Sequence, residues 1–166
     1  MNGDSLLVFK EQDFLFGISP SDFDQPFTLD QLNISPSGVD KAIWYYQDRV
    51  HKKEGIFLHL GALFGLRPVS FSYKGMIFLN EMAPNIHLGI FVDHLILKLP
   101  LLGLDSKTVG VEEAGKLPPE LPSRAIRKIV KHHRKTILLV DPVQLTEVYQ
   151  LISPERIRNL LAGARR

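Results

Sequence analysis

Six histidines and two aspartates that close apolar runs are the residues of this chain with the most chemistry to offer. A catalytic zinc site needs three or four converging ligands. Neither His51 with His59 nor His87 with His94 has the i, i+4 spacing and intervening glutamate that places two imidazoles on one helix face. His132 and His133 are adjacent, and on a strand adjacent side chains diverge. Asp93 ends Gly89-Ile90-Phe91-Val92 and Asp141 ends Ile137-Leu138-Leu139-Val140. Two carboxylates share acid–base work only at a set separation with split pKa values, and capping a turn is the simpler role for each. Gly61-x-x-x-Gly65 lacks the Gly-Lys-Ser ending that cradles phosphate, and no Gly-x-Ser-x-Gly elbow occurs. These residues predict a protein that is not an enzyme and has neither cofactor nor metal site.

A second chemistry is charge. Arg124, Arg127, Lys128, Lys131, Arg134 and Lys135, with His132 and His133, form a basic stretch with no acid among them. Such a stretch on a small β-barrel would contact phosphates, so nucleic-acid binding is the alternative function. No aromatics interleave, the nearest being Tyr149, and Ala125, Ile126, Ile129 and Val130 alternate with the charges as on one face of a packed element. A solvated face or an acidic protein partner is therefore favoured over nucleic acid. The net charge of +2 conceals a dipole: residues 1–40 hold one lysine, Lys10, against seven acids, whereas residues 124–166 hold ten Lys or Arg against three acids. That asymmetry would steer a charged partner in a salt-dependent way.

The elements that must position these groups are strands first and a helix last. The chain has 166 residues and is 45% hydrophobic, enough for one domain or two small subdomains sharing a core. It has no cysteine, so disulfide scaffolds and thiolate sites are excluded, and the reducing cytoplasm is the expected location. No apolar run approaches the ~18 residues of a membrane helix, and the N-terminus lacks the pattern of a signal peptide. Leu6 to Phe9 and Phe14 to Ile18 read as a hairpin around Lys10-Glu11-Gln12-Asp13. Ala42 to Val50 and Ile56 to Leu60 read as a second, followed by a tight turn at Gly61–Gly65. Met76 to Met82 and Ile86 to Asp93 flank the turn Ala83-Pro84-Asn85, and Leu95 to Leu99 continue the sheet to Pro100. Residues 101–123 read as loop-rich, and Arg124 to Lys131 with Ile137 to Val140 as a last hairpin. Helical spacing appears only at Val143, Leu145, Val148, Leu151 and Ile152, with a capping signal at Ser153-Pro154-Glu155. Paired small barrels with a trailing helix follow.

The order of these segments resembles the CheW-like domain of bacterial chemotaxis. Leu6-Leu7-Val8-Phe9 with Phe16-Gly17-Ile18 is similar to the family's opening strand pair. Leu58-His59-Leu60 before Leu63-Phe64-Gly65 is similar to its Val-Asp-Leu strand end and the turn that follows. Gly89-Ile90-Phe91-Val92-Asp93 resembles its Gly-hydrophobic-Val-Val-Asp strand, and Thr136 to Leu145 its last strand and helix start. The chain departs from the family where Asp48-Arg49-Val50-His51-Lys52 replaces an Asn-Leu-Arg-Gly turn, where Gln25 falls at a common glutamate, and where His59 stands for Asp. It reads as a divergent member.

What the resemblance implies is a mainly β fold of two SH3-like five-stranded β-barrel subdomains sharing a core. Residues 1–152 would form the CheW-like domain and 153–166 a C-terminal helical extension. The implied function is a non-catalytic adaptor that couples receptors to a histidine kinase. Its implied partners are the kinase regulatory domain and the cytoplasmic tip of a chemoreceptor, with no membrane insertion of its own. Phe16, Phe23, Gln25, Arg49 and Val92 are the candidate partner-binding residues; Phe16 and Val92 are also core candidates, and Arg49 is also a solvated hairpin charge.

Overall fold

The computed structural model describes residues 5–19, 26–38, 40–72, 75–84, 86–93, 95–100, 105–107, 110, 115–118, 120–121, 123–141, 144–145, 155, 158–159 and 162. Twelve strands arise in chain order: β1 Ser5–Glu11, β2 Phe14–Ile18, β3 Pro26–Thr28, β4 Asn33–Pro36, β5 Ile43–Asp48 and β6 Lys53–His59, then β7 Met76–Ala83, β8 Ile86–Val92, β9 Leu95–Pro100, β10 Asp105–Lys107, β11 Ile126–His132 and β12 Lys135–Val140. A single helical turn, α1 Leu60–Leu63, follows β6.

The strands form two six-stranded sheets, ordered β10-β11-β12-β2-β1-β9 and β3-β7-β8-β6-β5-β4. Both follow one plan, in which two antiparallel hairpins are joined by a parallel pair, β2 with β12 in one sheet and β6 with β8 in the other. The second sheet is built entirely from residues 26–92, inserted between β2 and β9 of the first.

The apolar runs sit in the middle of these sheets because both of their faces are buried. Every residue of β8 is buried, as are the last four of β12 and the last five of β6. One cluster lies between the sheets and takes Phe9, Phe16, Leu138 and Val140 from the first, Ile56, Leu58, Ile90 and Val92 from the second, and Leu60 and Phe64 from the turn at α1. Two smaller clusters cover the outer faces, Leu6, Val8, Val130, Ile137 and Leu139 on one and Tyr46, Phe57, Ile77 and Phe91 on the other.

All four expected hairpins are present, with narrower turns. β1 runs on to Glu11, which is buried, so only Gln12 and Asp13 turn the chain. One expectation is corrected. Each sheet has six strands and no closed barrel forms among the described residues, since β9, β10, β3 and β4 lie at sheet ends. The loop-rich stretch 101–123 also contributes β10, whose three residues are too few to carry a periodicity. Residues 144–145 begin a helix after Asp141; of the expected extension 153–166, exposed helical positions at 155, 158–159 and 162 are described and the rest lies outside the described residues.

Candidate partner-binding surfaces

One polar cluster joins the two sheets. Glu11 ends β1 at 2% exposure, and Arg67, which follows the turn after α1, meets it in a two-pronged ion pair, Nε to Oε2 at 2.6 Å and Nη2 to Oε1 at 3.1 Å. Its Nη1 donates to Ser70 Oγ at 2.6 Å, and Nη2 lies 3.8 Å from Asp93 Oδ2 at the end of β8. The bond from Glu11 holds the guanidinium firmly protonated, outweighing its burial. Gly61 makes room for the pair: a Cβ there would stand 2.6 Å from Glu11 Oε2 and 2.9 Å from Arg67 Nε. Gly65 ends the same turn with φ +70°, where a side chain is strained.

His59 lies beside this pair, fully buried. Its Nδ1 accepts the backbone N–H of Ala62 at 3.1 Å, capping α1, which leaves Nε2–H to donate to Ser70 O at 2.9 Å. The ring stacks on Phe91 at 5.4 Å and meets Phe71 edge-on at 5.5 Å. Burial pushes its pKa below the ordinary value, and the nearby Arg67 charge adds to the shift, so the neutral tautomer is the resident form. A cap needs an acceptor, which Asp or neutral His supplies, and this accounts for a histidine where the resemblance predicts Asp.

The β5–β6 turn offers a surface of another kind. Asp48 is buried and accepts the backbone N–H groups of Val50 and His51 at 3.1 and 3.2 Å, and its Oδ2 takes His51 Nδ1 at 2.6 Å. Burial raises its pKa, but these bonds outweigh it and hold the carboxyl below its ordinary value. The turn therefore presents Arg49 exposed at its tip beside Val50, which is 85% exposed.

The other sequence candidates are dispersed. Phe16 and Val92 are in the core at 0% and 1% exposure, Phe16 stacked on Phe9 at 5.7 Å and near Phe64 at 5.6 Å, so neither offers a surface to a partner. Phe23 and Gln25 lie outside the described residues. Asp93 and Asp141 are engaged separately, Asp93 with Arg67 and Asp141 with the Gln144 N–H and Arg127 Nε at 3.3 and 3.5 Å. All six basic candidates are exposed, but they form no single stripe. Arg127 leans on Asp141, Arg134 sits in the β11–β12 turn and Arg124 in a 3-10 turn before β11.

Lys131 and Lys135 instead turn to a cavity of about 630 Å³, where they meet Lys10, Lys107 and Lys116. No local signal announces that convergence. Glu11 and Arg67, 56 positions apart, were also not legible, because the polar residues around Glu11 read as a turn.

No family model matches the chain, and no curated protein matches it. Among solved structures, the scaffolding protein TtCheW from Thermoanaerobacter tengcongensis is similar, with a TM-score of 0.58 over 84% of this chain and 85% of that one, at 16% identity. The chain has a CheW-like fold. On this fold the chain sets three polar features, the inter-sheet junction, the β5–β6 tip and the lysine-lined cavity. Among the described residues no helix is long and apolar enough to cross a membrane.

Proposed function

We propose that the chain is a non-catalytic CheW-like adaptor of bacterial chemotaxis-type signalling, which couples receptors to a histidine kinase through protein–protein contacts. The observation that carries this reading is the likeness to a scaffolding protein over 84% of the chain. The CheW-like unit is residues 1–152, with 153–166 as an appended extension, and its place is the cytoplasm. Its partners are the regulatory domain of the kinase and the helical tip of the receptor. The contact proposed for this chain is the β5–β6 tip, because Arg49 and Val50 are exposed there on a turn that Asp48 fixes, and a positioned Arg beside an aliphatic residue makes an effective contact. Phe23 and Gln25 are proposed as further contacts.

Calorimetric titration against the regulatory domain of a chemotaxis-type histidine kinase tests the reading. Micromolar binding that Arg49→Ala and Val50→Asp each weaken, with the fold intact by circular dichroism, is the expected result. A folded protein that binds neither the kinase domain nor a receptor-tip fragment would refute it.

A further inference from the structure

We propose that the lysine-lined cavity in the first sheet is a binding site for a small anionic amphiphile, a molecule with a carboxylate, sulfonate or phosphate head on an apolar body. The site is separate from the adaptor contacts. It lies where the sheet curls: Ile96 of the edge strand β9 and Lys107 of the opposite edge strand β10 both line it. Small-molecule sites are concave and mostly apolar with a few polar groups, and about 630 Å³ lies within their usual ~300–1,000 Å³.

Its lining has two chemistries. Phe14, Leu15, Leu117, Ile129 and Leu138 join Ile96 as apolar wall. Among the described lining residues, Lys10, Lys131 and Lys135 bring ammonium groups to one side, with Lys107 and Lys116 nearby and Asp13 as the described carboxylate. The whole chain carries 20 basic and 18 acidic residues, whereas basic groups predominate among the described residues of this lining. The lysines come from β1, β10, the segment at 115–118, β11 and β12, and Lys131 is oriented by its bond to Thr136 Oγ1 at 2.6 Å. Like charges gathered over low-dielectric walls repel one another and focus a positive potential, which an anionic head relieves while its body covers the apolar wall.

Size decides between a small molecule and a protein segment. A volume of about 630 Å³ is that of a small-molecule site, which typically encloses ~300–1,000 Å³. A bare phosphate would leave the apolar wall uncovered.

The test is fluorescence titration of the full chain with 1-anilinonaphthalene-8-sulfonate, an apolar body with one anionic head, followed by competition. Saturable binding of one molecule per chain is expected, reversed by dodecanoate, weakened by salt, and untouched by inorganic phosphate or by an uncharged alcohol of equal length. The double variant Lys131→Gln/Lys135→Gln and, independently, Ile96→Ser should each weaken it, the former by about tenfold or more, as loss of charge-assisted hydrogen bonds to the head gives. Arg127→Gln, a basic position on β11 outside the cavity, should leave it unchanged. These substitutions are at exposed side chains, and circular dichroism checks that each variant is folded. Binding that the lysine variants do not alter, displacement by phosphate alone, or equal displacement by an acidic peptide would each overturn the proposal.

Discussion

Arg67 carries the polar junction between the sheets, and its replacement separates the cost of a broken ion pair from the value of an intact one. Arg67→Ala leaves Glu11, 2% exposed, without its partner, and a buried carboxylate so stranded costs about 3–5 kcal/mol. Removing both charges with Glu11→Leu/Arg67→Met should restore much of that loss, because an apolar pair of similar size avoids the desolvation. Urea unfolding of the two variants checks the order; a double variant as weak as Arg67→Ala would show that shape and not charge is what the junction needs. His59 adds a pH dependence. Its folded pKa is below the ordinary value near 6.5, so between those two values the unfolded chain binds a proton that the folded one refuses. Stability from this group is complete above about pH 6.5 and falls as the pH drops below it. In His59→Asn, which keeps an acceptor for the Ala62 N–H but does not titrate, the decline in urea midpoint over that window should flatten; an unchanged slope would assign the effect to other groups.

At the level of elements, turns were the most legible feature and strand neighbours the least. Every hairpin announced itself through polar or Gly and Pro residues between apolar runs, because a hairpin turn is a local event. The parallel pairs β2–β12 and β6–β8 join strands remote in sequence, and nothing local marks them. Lys10 shows the same limit at the cavity: the single lysine of the first forty residues reads as part of an acidic region, yet the fold delivers it to a concavity that Lys131 and Lys135 also line. The β11–β12 turn runs against local preference, since His133 and Arg134 both have positive φ, 47° and 66°, where Asn and Gly are favoured. His133→Asn/Arg134→Gly should raise stability by about 1 kcal/mol, readable as a higher urea midpoint at unchanged slope. Gly55 lies in the opposite situation. It pairs with His87 across β6–β8, and a Cβ there would stand 2.0 Å from the His87 carbonyl oxygen. Backbone cannot swing aside as a side chain can, so Gly55→Ala should cost at least the upper end of the ~1–3 kcal/mol of ordinary overpacking.

For the whole molecule, the decisive property is that the central core belongs to neither sheet alone. Residues 26–92 are contiguous and make a complete six-stranded sheet, which by chain order looks like a unit able to fold by itself. One face of that sheet is closed by its own outer cluster, but the other buries Ile56, Leu58, Ile90 and Val92 against Phe9, Phe16, Leu138 and Val140 of the first sheet. Separating the sheets would expose both halves of that cluster and the Glu11–Arg67 pair together, so the two are expected to unfold in one transition. The chain provides its own reporter, because its single tryptophan, Trp44, is in the second sheet, edge-on to Phe71 at 4.8 Å. Phe16→Ala removes a ring from the first sheet, at a cost of about 3–5 kcal/mol for a buried aromatic. Trp44 fluorescence should then move to lower urea concentration by the same amount as far-UV circular dichroism, which averages over both sheets. A Trp44 transition that stays in place while the dichroism splits in two would mean that the second sheet stands alone, and that the shared core holds two independent units together without making them one.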